Sequence, residues 1–382
     1  MTVLPEIFER SAEVVEKLVR LPNKTRRFVS EEITAYWQIL DKKPLSVQMR
    51  EVCQLARYYR FPPYHYVKHF LFTQAKRNVL DYIPPELVTR YCRRINDKEA
   101  VRLVRSKREF ERQMVQHRLP VVSSCYFVFK QGVITRETDE NVHVPVRYET
   151  FVAGLVERGL QQVFLKPVFG GQANGVRKLN VRPDGIYDGE CYLDKTSFFS
   201  LVFGDHIFKM CIVQPVIEQH VELSRIYPLA VNSVRIDTFD DHGTIRHNAA
   251  LLRLGCHGRI TDNLSAGGIM VNIDLQTGCL AATARTKARF GTHSITRHPD
   301  TGEAFAGRQM PYWEQVKETV SRAAIALRPV RAVGWDVAIT PDGPVLIEAN
   351  DDYGIFSLQE CAGGLRYSPL GREMARYYHW PD

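Results

Sequence analysis

No run in this 382-residue sequence approaches the roughly 18 consecutive apolar residues of a membrane-spanning helix, so no membrane span is expected. The opening stretch, MTVLPEIFERSAEVVEKLVR, lacks the basic-then-apolar order of a secretory signal. The eight cysteines, at positions 53, 92, 125, 191, 211, 256, 279 and 361, form no CxxC or CxH cluster. They read as reduced core residues of a cytoplasmic protein, not as zinc ligands or a disulfide frame. The dipeptide Gly-Lys occurs nowhere, which excludes a Walker A loop, and the absence of GxGxxG removes the simple dinucleotide reading. GxSxG and HExxH are missing too, so neither a nucleophile elbow nor a zinc-protease helix is present. There are no repeats, no low-complexity tracts and no nucleic-acid-binding signature, so no nucleic-acid partner is expected.

What is present is an ordinary globular composition, 45% apolar and 25% charged, in a chain long enough for two or three structural units. Much of the net charge of +8 sits between Arg90 and Arg112, in RYCRRINDKEAVRLVRSKREFER. Such a stretch suits a solvated helix face, an anionic surface or an anionic substrate. Apolar residues recur at helical spacing in Phe8-Val14-Val15-Leu18, Val52-Leu55-Ala56-Tyr59 and Leu87-Val88-Tyr91, punctuated by prolines 22, 44, 62, 63, 84 and 85. From about residue 120 the pattern changes to strands between Gly, Asp and Asn turns: CYFVFK, QQVFLKPVF, MCIVQPVI, VRIDTF, NAALLRLG and GIMVNID. Helices are expected near 147–159 and 311–327. The fold class is α+β behind an all-helical front end.

The most informative stretch is Gly334–Asn350, GWDVAITPDGPVLIEAN. It reads as a hairpin closed by Pro-Asp-Gly, with Thr340 facing Pro344 and a bulge at the turn. That register sets Asp336 opposite Glu348, with Asn350 on the same face and Ala338 and Leu346 beside them. Two carboxylates ~5 Å apart at an effective dielectric near 20 repel by about 3 kcal/mol. Solvation, a raised pKa or a bound cation would each offset this. Both faces look buried, and two carboxylates plus an amide oxygen form a hard ligand set suited to Mg²⁺.

A phosphate cradle is then sought upstream. In VFLKPVFGGQANGVRKLNV, residues 163–181, Lys166 ends a strand and Gly170, Gly171 and Gly175 lie in a polar loop, where backbone amides can approach phosphate oxygens. A plain glycine-rich hairpin explains the same pattern. In MCIVQPVIEQHVEL, Pro215 breaks a strand and leaves Val216 and Ile217 without ladder partners. An adenine edge would satisfy them, with Gln214 near the amino group and Glu218 or Glu222 on the ribose. Arg235 and Arg253 interrupt strand patterns and need an anionic partner, such as a triphosphate or a carboxylate substrate. DNLSAGGIMVNID supplies Asn263, Ser265, Gly267 and Gly268, a small-residue loop suited to close approach by substrate. The segment 282–309, with Arg285, Lys287, Arg289, His293 and His298, is either a solvated loop or the lining of an acceptor pocket.

In this order the segments resemble the ATP-grasp superfamily. NSVRIDTF, DNLSAGGIMVNID, HPDTGEAFAGRQMPYWEQV, GWDVAITPDGPVLIEAN and DYIPPEL are similar to its sugar-transfer-associated family over roughly residues 30–360. The resemblance implies an ATP-grasp fold of two α+β subdomains gripping ATP, with an N-terminal helical domain over 1–100 and subdomains over 101–213 and 214–382. It also implies phosphate contacts from Lys107, the lysine before a short helix in SKREF, and from Lys166 under the 170–175 loop. Adenine would sit at the hinge after Gln214, and Asp336, Glu348 and Asn350 would hold one or two Mg²⁺ ions. With Lys166, Arg235 and Arg253 as charge-stabilising groups, the implied chemistry converts a small-molecule carboxylate to an acyl phosphate that an amine attacks. A phosphotransferase acting on a hydroxyl or sugar, and a nucleotide-binding module without catalysis, are the alternatives.

Overall fold

The computed structural model describes residues 36–37, 39–137, 142–169, 175–204, 208–264, 267–286 and 294–381. Its named strands form two antiparallel sheets, each drawn from one contiguous part of the chain. The first contains β1 (Tyr126–Phe129), β2 (Val133–Glu137), β3 (His143–Val146), β4 (Gln162–Pro167), β5 (Arg177–Arg182), β6 (Gly185–Asp188), β7 (Cys191–Leu193) and β8 (Met210–Pro215). Its order is β3-β2-β1-β8-β4-β5-β6-β7. The second contains β9 (Ser233–Asp241), β10 (Thr244–Leu254), β11 (Ile269–Ile273), β12 (Leu280–Arg285), β13 (Ser294–Ile295), β14 (Ala332–Thr340) and β15 (Gly343–Asn350). Its order is β13-β12-β11-β10-β9-β14-β15.

Period-2 alternation decides what each sheet face does. In the first sheet Val163, Leu165, Leu179, Cys211 and Val213 pack with Phe151, Leu155 and Phe198 of the helices Tyr148–Glu157 and Lys195–Phe203. The intervening residues Phe164, Lys166 and Gln214 line the side turned to the second sheet. In the second sheet Val234, Ile236, Trp335, Val337 and Ile339 bury against helices Ala100–Arg105, Lys107–Gln116 and Trp313–Ala326. On the opposite face, Phe239, Ala249, Leu251 and Ala332 pack on the helical front end through Leu55, Tyr59, Leu87 and Val88, and on helices Ile355–Ala362 and Pro369–Tyr378. Arg235, Asp237, Arg253 and Asp336 follow the alternation of that second face.

Helix Pro85–Ile95 begins with proline in its first turn, where the missing N–H would have had no partner. Leu55 and Tyr59 of Leu45–Tyr59 and Leu87, Val88 and Tyr91 of Pro85–Ile95 are buried at the expected helical spacing. The Phe8–Leu18 pattern lies outside the described residues.

The chain crosses between the sheets twice. Before β1, the Val122 N–H donates to the Leu346 carbonyl at 3.1 Å, and the Leu346 N–H donates to Pro120 at 2.9 Å. After β8, the His220 N–H donates to the Ile339 carbonyl at 2.7 Å.

The β14–β15 hairpin departs from the expected register in one respect. It closes on a two-residue turn, Pro341-Asp342, with Thr340 opposite Gly343 and Ile339 opposite Pro344. The odd residue is absorbed deeper, at a bulge between Asp336 and Val337, which restores Asp336 opposite Glu348. A bulge reverses the alternation beyond it. Leu346, expected beside the carboxylates, is therefore in the core with Val337, while Ile347 lines the cleft next to Glu348.

Candidate active site

The facing sides of the two sheets enclose a cleft of about 460 Å³. Lys166 reaches it from β4, Gln214 from β8, Arg235 from β9, Arg253 from β10, Asp336 from β14, and Glu348 and Asn350 from β15. Lys107 arrives from the first turn of helix Lys107–Gln116, capped by the Ser106 hydroxyl, which accepts the Glu109 N–H. Residues far apart in sequence thus converge because two sheets present alternate side chains across one gap.

The arrangement is electrostatically tight. Arg235 donates to Asp336 Oδ1 at 2.6 Å, and Arg253 donates to Asp336 Oδ2 at 2.9 Å. Burial alone would raise the Asp336 pKa, but Arg253 and Arg235 outweigh it and hold the carboxyl at about 2. Across the hairpin, burial and then the Asp336 charge push Glu348 up, opposed by Lys107, whose Nζ lies 4.0 Å from Glu348 Oε2. Burial lowers Lys166 to about 8; Glu348 opposes that shift and Lys107 adds to it. The repulsion read from sequence is therefore met by two arginines on one acid and a raised pKa on the other. The arginines were expected to await a substrate anion; the structure gives both a protein carboxylate.

Arg235 is further fixed by donating to the Tyr353 carbonyl at 3.0 Å. Gly334 makes room for it, since a Cβ there would lie 2.8–2.9 Å from three guanidinium atoms. Behind it sits Asp237, fully buried, 3.3 Å from Arg235 Nε, with neither carboxylate oxygen hydrogen-bonded among the described residues. Burial raises its pKa to about 8 against the pull of Arg235.

Other expected residues divide. Ile217 and Asn263 line the same cleft. Val216 and Glu218, with Ile217 again, line an adjoining cavity of about 560 Å³. Glu222 lines neither; it pairs with Arg225 at 2.6 Å and faces Arg308 at 3.8 Å. The Gln214 amide donates to the Val122 carbonyl at 3.0 Å, so its nitrogen is committed to the chain crossing. Gly175 has φ +74, and a Cβ there would meet the Phe208 ring at 2.6 Å, so only glycine fits. Gly267 and Gly268 are not on the cleft wall but shape the loop that is: the Gly268 N–H donates to the Asn263 carbonyl at 3.1 Å. Gly170, Gly171, Ser265, Lys287, Arg289 and His293 lie outside the described residues. Arg285 ends β12 half-buried, whereas His298 is buried, its Nε2 2.9 Å from the Gly255 carbonyl and its ring stacked on Tyr227.

Three further cleft residues went unread in the sequence. Asp262 opens the DNLSAGG stretch, is bound by the Ser233 hydroxyl, and is raised in pKa by burial. Phe356 and Ser357 follow β15 at the start of helix Ile355–Ala362. The aspartate was visible, at the head of the quoted DNLSAGG run; the other two carry no motif.

The donor set fits a divalent cation. Glu348 is a carboxylate whose ionisation is disfavoured by burial and then by the Asp336 charge, both of which a bound cation offsets. Asn350 turns its amide nitrogen to the Gly334 carbonyl at 3.5 Å, leaving the oxygen as the atom it offers the cleft. Asp336 accepts Arg235 on one oxygen and Arg253 on the other, and a carboxylate oxygen has lone pairs beyond one such bond.

No functionally curated protein shows significant sequence similarity to the chain. Among solved structures, D-alanyl-alanine synthetase A from Vibrio cholerae is similar at 10% identity and a TM-score of 0.43, over 74% of this chain and 66% of that one. The VanG D-Ala:D-Ser ligase from Enterococcus faecalis gives 12% identity and a TM-score of 0.42, over 72% and 63%. Biotin carboxylase from Campylobacter jejuni gives 13% and 0.44, over 78% and 52%. The chain thus spans slightly under two thirds of the first two proteins and about half of the third. The sequence profile of the sugar-transfer associated ATP-grasp family matches residues 86–364, from the start of helix Pro85–Ile95 to just beyond the helix that follows β15. The chain belongs to the sugar-transfer associated ATP-grasp family.

Proposed function

We propose that the chain is an ATP- and Mg²⁺-dependent, ADP-forming ligase that joins a carboxylate to an amine. The observation that carries this reading is the meeting of Lys107, Lys166, Arg235 and Arg253 with Asp336, Glu348 and Asn350 in one cleft. Four cations suit a triphosphate, and the three oxygen donors suit its metal.

In this reading adenine lies against Gln214, Val216 and Ile217. Glu218 or Glu222 takes the ribose, and the cavity wall favours Glu218. Lys107 and Lys166 hold the phosphates beneath the loop of Gly170, Gly171 and Gly175. Asp336, Glu348 and Asn350 hold Mg²⁺, which supplies charge neutralisation to the phosphate oxygens. The loop of Asn263, Ser265, Gly267 and Gly268 orients the acid. A carboxylate oxygen attacks the γ-phosphorus, the bond to the β–γ bridging oxygen breaks, and ADP leaves. The amine nitrogen then attacks the acyl phosphate carbonyl carbon, phosphate departs, and the nitrogen gives up a proton. Arg253, which gives Asp336 only one of its donors, and Arg235 stabilise charge on the transferred phosphoryl group. The association of the family with sugar transfer supports a place in polysaccharide or natural-product biosynthesis.

A screen of acids, uronic and amino-sugar acids included, against amines, read by ADP release and product mass, tests the proposal. ADP formation should require both partners and fall at least 100-fold in Asp336→Asn. AMP as product, or turnover indifferent to that substitution, would reject it. One observation favours a second reading: Asp262, a half-buried carboxyl in the cleft whose pKa desolvation raises, is suited to take the proton of an attacking hydroxyl. A phosphate ester in place of an amide would establish that phosphotransferase.

A further inference from the structure

Away from this cleft a second cavity, of about 650 Å³, opens where the carboxyl end of helix Pro85–Ile95 meets the β9–β10 turn and the start of β14. Its walls carry Arg93, Arg94, Lys98, Arg328 and Arg331 against three carboxylates. Those carboxylates are already engaged. Asp97 accepts the N–H groups of Glu99 and Ala100 at 3.0 and 2.8 Å, Glu99 pairs with Arg102 at 2.8 Å, and Asp240 pairs with Arg328 at 2.6 Å. His242 at the rim faces Glu373 at 3.7 Å.

The remaining cations are not matched. Arg331 donates to the Asp240 carbonyl at 3.1 and 3.0 Å and lies over the Phe239 ring, so it is held in place without being neutralised. Arg94 lies over the Tyr377 ring. Among the described residues no carboxylate pairs with Arg93 or Lys98, both exposed. The backbone behind the wall is pinned: the buried Asn96 amide donates to the Ala332 carbonyl at 3.0 Å and accepts the Arg331 and Ala332 N–H groups at 3.0 and 2.9 Å. Arg93, Arg94, Lys98 and Arg331 thus surround one concavity with no carboxylate paired to any of them among the described residues, and of the wall's three carboxylates only Asp97 is left without a cationic partner to offset them. Guanidinium forks match phosphoryl oxygens in pairs.

We propose that this groove is a second anion site that binds a phosphoryl-bearing ligand. It stands independently of the ligase reading. The full chain, its cleft first saturated with Mg²⁺ and a non-hydrolysable ATP analogue, is titrated with pyrophosphate by calorimetry and, separately, sedimented with phosphatidylglycerol or phosphatidylcholine vesicles. Pyrophosphate should bind with the cleft filled, at least tenfold more weakly in Arg93→Glu/Lys98→Glu, with an intermediate loss in Arg93→Gln/Lys98→Gln. Both pairs should melt like the parent, since these side chains are exposed. Sedimentation with phosphatidylglycerol alone, lost in the same variants, would make the ligand a lipid headgroup, not a free phosphate. Binding that vanishes once the cleft is filled, binding that the variants leave unchanged, or no binding to either probe overturns the proposal.

Discussion

Arg235 is the residue on which the cleft turns, since it is pinned between Asp336, Asp237 and the Tyr353 carbonyl. It can lie there only because residue 334 has no side chain. Gly334→Ala is expected to displace the guanidinium and lower turnover at least tenfold, with a smaller effect on the ATP Kd; steady-state kinetics beside nucleotide titration separates the two. Lys166 gives a pH dependence of defined sign. Its folded pKa of about 8 means the ammonium is present at pH 7 and lost as pH rises through that value. ATP affinity should therefore weaken from about pH 8 upward, by at most tenfold per unit, because bound phosphate holds the proton on to a higher pH. Titration of an ATP analogue from pH 7 to 9.5 checks this, and Lys166→Arg, charged throughout, should give a flat profile. The sequence showed that Arg235 and Arg253 needed a counter-charge, but the partner stands 101 and 83 positions away, and only the strand order supplies it.

At the scale of elements, the strongly patterned segments were legible. The strands around Val163–Pro167, Met210–Pro215, Ser233–Asp241 and both arms of the last hairpin are apolar and long, and two helices were placed to within two residues. The missed strands are short, Gly185–Asp188 with four residues and Cys191–Leu193 with three, whereas the strand expected to return after the glycine loop is present as Arg177–Arg182. Helix Ile355–Ala362 hid for the opposite reason. It is wedged between the helical front end and the second sheet, so Gln359 and Glu360 are buried beside Ile355 and Leu358, and no apolar stripe remains to read. Gln359 does the joining. Its amide donates to the Ile83 carbonyl at 2.9 Å and accepts the Ile83 N–H at 2.8 Å. Gln359→Leu strands both backbone groups, so a loss of at least about 2 kcal/mol is expected. Urea unfolding would measure it; an unchanged midpoint would mean that this contact is dispensable.

For the whole molecule, the proposed function has the three acceptors of one hairpin tie metal and nucleotide to the second sheet, and Lys166 tie the nucleotide to the first. Mg²⁺ with ADP should therefore raise the melting temperature more than the sum of either alone, because a ligand stabilises through the folded form it binds. Glu348→Gln should remove the cooperative part, and addition of EDTA should abolish it in the parent; scanning calorimetry distinguishes these. Among the described residues no helix is long and apolar enough to cross a membrane.

The first sheet begins at β1 and ends at β8, and those two strands are hydrogen-bonded neighbours, with Tyr126 opposite Val213. Its apolar interior, from Cys125 to Val213, is drawn entirely from its own segment. Entry and exit thus lie side by side, as in a cassette: excision of residues 125–215 with closure by a short turn, or exchange for the corresponding piece of a relative, is expected to leave the strand order of the sheet that carries Arg235 and Asp336 unchanged.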